Sequence, residues 1–152
     1  MINKDFFKKI RILDGGMGQE LLARGMKPNS TLWSANAILD ENYHQLVLDT
    51  HIDFIKAGAE IIVTTTFATR QKRLKENNLL DKFEYLNQKA GEIAQAAKQK
   101  FPNTYIAGGI PPQNLTYEAD DRDEAEITEN FNSQAKALDP YAVSYTHLTL
   151  PT

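Results

Sequence analysis

The chain has 152 residues, 41% hydrophobic and 24% charged, with a formal net charge of −3. That is enough chain for one domain with a hydrophobic core. The slight acidity leaves no electrostatic footprint for nucleic acid or an anionic membrane, and no apolar run approaches the roughly 18 residues of a bilayer span.

The sequence contains no cysteine, which excludes disulfides, thiolate nucleophiles and thiolate metal sites within it. Its histidines, His44, His51 and His147, are not spaced as a ligand pair on one helical face, so a zinc site built from these residues alone is not expected. The opening Met1-Ile2-Asn3-Lys4-Asp5 lacks the apolar core of a signal peptide; a cytoplasmic location is the expectation.

In chain order, Ile10 to Leu13 is a short apolar run ending at Asp14-Gly15-Gly16, which reads as a strand followed by a loop requiring glycine geometry. Gly18 to Arg24 predicts a short helix stopped by Gly25. Pro28 to Ala37 is irregular and holds Trp33, expected to pack a loop over the rim. Asp40 is a good N-cap for a helix in which Tyr43, Leu46, Val47, Phe54 and Ile55 recur at helical spacing, closed by Gly58. Glu60 to Phe67 is a β-branched run that predicts a strand buried on both faces, as in a parallel sheet.

Arg70 to Asn77 reads as one or two polar helical turns. Asp81 is the expected cap of a second long helix with Leu86, Ala90, Ile93, Ala94, Ala97 and Phe101 on its apolar stripe, ended by Pro102-Asn103. Tyr105-Ile106-Ala107 predicts a third short strand running into Gly108-Gly109. Ile110 to Arg122 is a loop. Asp123 or Glu124 starts a third helix with Ile127, Phe131, Ala135 and Leu138 on one face, ended at Asp139-Pro140. Strands alternating with helices imply an α/β fold with a parallel sheet, either a barrel or an open doubly wound sheet.

Residues 142–152 stand apart. They lack charge apart from His147 and show neither strand alternation nor helical period. They read either as a fourth strand, which the alternation calls for here, or as a foreign tail resembling translated sequencing-adapter DNA. The second reading is favoured, with a domain over residues 1–141 and a non-native tail over 142–152.

Candidate chemistry gathers at the expected strand ends, where α/β proteins place their ligands. Asp14-Gly15-Gly16-Met17-Gly18 brings backbone N–H groups and one carboxylate to such an end. The carboxylate can take an ammonium or hydroxyl donor. The plainer reading is a tight turn with a capping aspartate. The run does not fit a dinucleotide fingerprint, because position 21 is Leu21. Thr64 and Thr66 are alternate residues pointing the same way, suited to a polar substrate or to sheet filling. Gly108-Gly109 is a third close approach of backbone. His51, on a helix, reads as structural. Asp120-Asp121-Arg122-Asp123-Glu124 reads as a solvated loop and helix start, and Asn114-Leu115-Thr116 as an incidental glycosylation pattern.

Three motifs in series resemble the homocysteine S-methyltransferase family. They are Ile12-Leu13-Asp14-Gly15-Gly16-Met17-Gly18-Gln19-Glu20-Leu21 with Arg24-Gly25; His51 to Ile62 running into Thr64-Thr65-Thr66-Phe67; and Ala107-Gly108-Gly109-Ile110-Pro111-Pro112. The resemblance covers roughly Ile10 to Asp139. It implies the N-terminal part, about three β/α units, of a (β/α)8 barrel. It also implies methyl transfer from a small activated donor to the thiol of homocysteine, forming methionine, with a zinc held by three cysteines that binds and activates the sulfur. Carried over by position, Asp14, Gly15 and Gly16 match the turn near the amino-acid end of homocysteine, and Thr64 and Thr66 match pocket positions. The family's zinc cysteines and its acidic residue at the fourth strand have no counterpart here, so catalysis by this chain alone is not expected. Two other readings remain open: a metal-free α/β module that binds an amino acid, and an α/β enzyme holding a phosphate at the glycine turn with Arg70 as the nearest cation.

Overall fold

The computed structural model describes residues 5–114 and 120–147. Leu115 and Thr116 of the glycosylation-like triplet and the last five residues of the tail lie outside them. Three parallel strands, β1 (Ile61–Val63), β2 (Tyr105–Ile110) and β3 (Ser144–His147), pair in the order β1-β2-β3. Helices α1 (Met17–Ala23), α2 (Asn36–Leu39), α3 (His44–Lys56), α4 (Gln71–Glu76), α5 (Phe83–Lys100) and α6 (Glu124–Leu138) fill the connections. The order of strands in the sheet follows the order in the chain. Among the described residues no helix is long and apolar enough to cross a membrane.

The expected first strand is an extended segment beside β1. Leu13 forms an isolated parallel bridge with Ile61, and the Ile12 carbonyl accepts from the Glu60 and Ile61 amides at 2.9 and 3.2 Å. β1 is shorter than the β-branched run suggests because hydroxyls take over from the ladder. The Thr66 amide turns back onto the Thr64 carbonyl at 2.7 Å, the local side-chain and turn bonding that competes with sheet at threonine. Nor is β1 buried on both faces: Ile62 is fully buried while Ile61 and Val63 on the other face are half-buried. β2 runs longer than expected, carrying Gly108 and Gly109 inside the strand.

Helix boundaries differ where caps compete. Asp81 sits in a 3-10 turn, Leu80–Lys82, and α5 begins after Lys82 with no side-chain cap. Asp40 caps another 3-10 turn, Glu41–Tyr43, by accepting from the Asn42 amide. Asp123 caps α6, accepting from the amides of Ala125 and Glu126. Gly25 and Gly58 end their helices in the left-handed region at φ 101° and 115°, where a Cβ is disfavoured.

One apolar cluster, including Leu21, Ile38, Val47, Leu74, Leu86 and Ala90, joins the helices. A second, Ile52, Ile62, Ala94, Ala97 and Ile106, seals α3 and α5 onto one face of the sheet. The face α6 buries is partly polar: Asn130 and Gln134 are buried with Leu138, whereas Ile127, Phe131 and Ala135 are half-buried.

Residues 144–147, assigned from sequence to a foreign tail, pair with β2, and Gly108 lies opposite Tyr145. A Cβ on Gly108 would stand 2.6 Å from the Tyr145 ring, and one on Gly91 would overlap the Tyr141 ring. These two aromatic rings lie where only glycine leaves room.

The segment beside β1 exposes Ile10, Ile12 and Leu13 at 96, 58 and 46%. An apolar sheet edge recruits other chains. The expected outcome is self-association at micromolar concentration, shifted toward monomer by Ile12→Lys. Light scattering after gel filtration checks it, and an unsubstituted chain that stays monomeric would count against an adhesive edge.

Candidate functional site

Asp14 sits where the first segment leaves the sheet. Its amide donates to the Ile61 carbonyl at 3.0 Å, and its Oδ2 accepts from the Val63 amide at 2.8 Å. A side-chain oxygen thus stands in for the next carbonyl of the ladder. The side chain is 4% exposed, and burial pushes its pKa from 3.8 up to about 7 against the lowering effect of the Val63 and Asp14 amides. Desolvation outweighs two backbone donors because the charged form loses its water.

The chain then turns through Gly15 and Gly16 into α1. Neither glycine has a positive φ, contrary to the glycine geometry expected of this loop. Gly15 is required by contact instead: a Cβ there would stand 2.8 Å from Cε1 of the Phe54 ring, while a Cβ on Gly16 would meet nothing within 4 Å. At Gly16 none of the described residues stands against the backbone on that side.

Beyond Val63, the Thr64 hydroxyl accepts from the Gly109 amide at 2.9 Å and lies 2.9 Å from the Thr66 hydroxyl. Thr66 Oγ1 donates to the Gly109 carbonyl at 2.6 Å. Two hydroxyls therefore clamp the end of β1 onto β2, again replacing backbone partners.

These strand ends surround a cavity of about 560 Å³, whose walls include Asp14, Gly15, Gly16, Thr64, Thr65 and Gly109. Trp33, Val63, Phe67 and Ile110 add apolar surface to it. The structure brings four of the five residues singled out from sequence, Asp14, Gly15, Gly16 and Thr64, onto one cavity. Thr66 is not on its wall; it is fully buried behind it, with its hydroxyl engaged by Gly109 and Thr64.

Trp33, expected to pack a loop over the rim, lines the cavity. It is 54% exposed at the cavity, with φ 49°, an uncommon backbone for a bulky residue. Its amide donates to the Asn29 carbonyl at 2.9 Å, and the Asn29 side chain accepts from the Thr31 and Leu32 amides. An asparagine turn thus presents the indole, a signal present in Asn29-Ser30-Thr31 that sequence reading passed over.

Arg70, the cation a phosphate reading needs, is not on the cavity wall. It is buried, with Nη1 donating to the Phe67 carbonyl at 3.2 Å. His51 is fully buried and reaches toward Asp14, Nδ1 to Oδ2 being 3.9 Å. Burial lowers its pKa from 6.5 to about 4, so near neutrality it is an uncharged neighbour rather than an ion-pair partner.

Fold and site together define an α/β domain whose parallel strands end around a cavity of small-molecule size. The chain belongs to the homocysteine S-methyltransferase family, whose profile matches residues 11–147. It is similar to homocysteine S-methyltransferase 2 of Saccharomyces cerevisiae, at 32% identity over 114 residues covering 69% of this chain and 35% of that protein. It is also similar to homocysteine S-methyltransferase 2 of Zea mays, at 35% identity over 104 residues covering 68% and 30%. The chain therefore spans about a third of the length of the curated relatives it matches. Its backbone matches the crystal structure of the Escherichia coli homocysteine methyltransferase MmuM in metallated form, with a TM-score of 0.82 at 24% identity, covering 98% of this chain and 57% of that one. At that identity the likeness speaks for the fold.

Two outcomes follow from this geometry. A Cβ on Gly109 would lie 3.0 Å from the Thr64 carbonyl oxygen and 3.1 Å from the Thr66 hydroxyl, so Gly109→Ala overpacks the clamp. It should lower stability by about 1–3 kcal/mol, read by urea denaturation in the Ile12→Lys background.

The second concerns pH. Asp14 has a raised folded-state pKa, so its contribution to stability is present below its ordinary 3.8 and lost as pH rises to about 7. His51 has a lowered one, so its contribution is present above 6.5 and lost as pH falls through about 4. The two slopes oppose each other in the same window. Asp14→Asn should therefore turn a shallow profile into a steep loss of stability as pH falls from 6.5 to 4; the same denaturation series checks it, and an unchanged profile would contradict it.

Proposed function

We propose that the chain carries the amino-acid-binding part of an enzyme that moves a methyl group from a small activated donor to the thiol of homocysteine, forming methionine. In this reading its β/α units are the first of a (β/α)8 barrel, and the sheet face bearing Ile61 and Val63 is the inner face. The observation that carries the reading is the Asp14 carboxyl, fixed by the Val63 amide at a cavity wall next to the bare backbone of Gly15 and Gly16. An α-ammonium group meets the carboxylate. The glycine backbone can approach the same end of the ligand without a side chain between. The apolar walls, Val63, Phe67 and Ile110, suit the short aliphatic part that leads to sulfur. The names of the relatives supply the substrate class.

Family resemblance implies zinc, and the residues of this chain do not fit it. There is no cysteine in the sequence, and among the described residues no three His, Cys, Asp or Glu side chains converge as a metal site. The roles assigned to this chain are therefore binding and orientation. The same mismatch favours, as a second reading, a module that binds an amino acid without catalysis. The two part on methionine production from S-methylmethionine and homocysteine: formation of methionine by this chain would exclude the binding-only module.

Calorimetric titration with L-homocysteine tests the site. Affinity should rise as pH increases through about 7, where Asp14 ionises while the ligand amine stays charged. Asp14→Asn should cost about 1.5–3 kcal/mol of binding above that pH, the worth of a hydrogen bond to a charged group. Equal affinity for the variant, or a pH-independent constant, would remove Asp14 from the role.

A further inference from the structure

We propose that His51 is a positioning residue for this site: it donates from Nδ1 to the Asp14 carboxylate from behind, and the Thr65 hydroxyl holds the ring in that tautomer by donating to Nε2. The inference rests on Asp14 being the group that meets the ligand ammonium, and it assigns what supports the carboxylate once it is charged.

His51 is 0% exposed in the middle of α3. Among the described residues its Nδ1 has no hydrogen-bond partner, a costly state for a buried nitrogen. The nearby oxygen is Asp14 Oδ2 at 3.9 Å, beyond hydrogen-bond range but close enough for a small side-chain rotation to close. Bonds of this kind are often long in unliganded sites and tighten with the ligand. At the other end of the ring, Nε2 lies 3.5 Å from Thr65 Oγ1, and Thr65 is on the cavity wall.

A neutral imidazole carries one N–H, and the hydrogen bond at one nitrogen decides which. With the proton on Nε2, Nδ1 would turn a lone pair toward a carboxylate oxygen, and the two would repel. With the proton on Nδ1, the ring donates to Asp14 and accepts from the Thr65 hydroxyl. Only this arrangement gives all three groups a partner when Asp14 is ionised.

Asp14 needs that donor. A buried carboxylate is held charged by several hydrogen bonds, and among the described residues the Asp14 carboxyl accepts one from another residue, from the Val63 amide. The nearest arginines in the sequence are paired elsewhere: Arg24, which follows α1, with Glu20 and Asp53, and Arg11 with Glu60. Paired in this way, neither arginine neutralises Asp14.

The experiment compares His51→Phe, which keeps the ring shape, with His51→Asn, whose amide nitrogen can take the place of Nδ1. Two quantities are read in the full chain: the midpoint of the Asp14 carboxyl by carbon NMR, assigned with Asp14→Asn, and L-homocysteine affinity above that midpoint. His51→Phe should raise the midpoint and weaken homocysteine about tenfold, and His51→Asn should recover most of both. Unchanged values in His51→Phe, or equal damage in the two variants, would overturn the proposal. A third reading needs neither variant nor ligand: long-range nitrogen NMR of the unsubstituted chain should find His51 protonated at Nδ1 above the Asp14 midpoint, and a proton on Nε2 there would overturn it as well. If homocysteine does not bind the unsubstituted chain, the binding reading fails, while the Asp14 midpoint and the ring tautomer still decide the role of His51.

Discussion

The Val63 amide donates to the Asp14 carboxyl at 2.8 Å, at a point where a sheet would ordinarily offer a backbone carbonyl. The first segment can therefore turn away into α1 while remaining tied to β1. The next strand pair ends the same way: Thr64 and Thr66 hydroxyls take the amide and carbonyl of Gly109. At both strand ends a side-chain oxygen replaces a main-chain one. This satisfies buried backbone groups and leaves the cavity lined by polar side chains whose positions are set by the sheet. A rim built so is more rigid than one built from loop side chains, which suits a binding site.

The turn that follows β1 leaves carbonyls without ladder partners, and amide side chains from the helices supply the donors. Gln134 of α6 donates to the Thr66 carbonyl at 3.0 Å and to Asn87 Oδ1 at 3.1 Å. Asn87 of α5 accepts from the Thr69 hydroxyl at 2.8 Å, and Gln113 donates to Gln134 Oε1 at 3.1 Å. The polar face of α6 is thus tied to the turn that carries Phe67. A buried polar network whose members are nearly all satisfied specifies one arrangement of α5, α6 and that turn, where an apolar face would tolerate sliding.

That network explains why α6 was only partly legible in the sequence. The helix itself, its Asp123 cap and its end at Leu138 follow from local pattern. Its buried side does not, because Asn130 and Gln134 acquire partners only from residues far along the chain. The strands behave alike. Ile61–Val63 and Tyr105–Ala107 stand out as β-branched or apolar runs, but their ends depend on hydroxyl bonds between threonines and Gly109, 43–45 residues apart. That Asp14, Gly15, Gly16 and Thr64 would meet at one cavity was legible because side chains at the C-terminal strand ends of α/β folds converge there. Thr66 lies behind the cavity wall because the backbone turns after Thr64, where strand alternation no longer holds. His51 was hidden in plain helical spacing: four residues after Val47, it shares that residue's buried face, and nothing local says that the face meets a carboxyl.

Energetically, the cavity wall holds a carboxyl whose charged form is disfavoured by burial, which pushes its pKa up to about 7. The desolvation has already been incurred in folding, so it is not charged again when a ligand arrives. On the proposed reading, a ligand ammonium meets a carboxyl stripped of water, oriented by the Val63 amide and 3.9 Å from the His51 ring nitrogen. The attraction in such a low-dielectric wall is larger than between the same groups in water. The buried carboxyl costs the fold stability above the Asp14 pKa, and on the proposed reading that is an exchange of stability for preorganised binding. Binding of an ammonium must then release the proton that Asp14 carries below that pH. A neutral ligand of the same shape has no charge with which to drive that release, so on the proposed reading the carboxyl would select for charge as well as for fit.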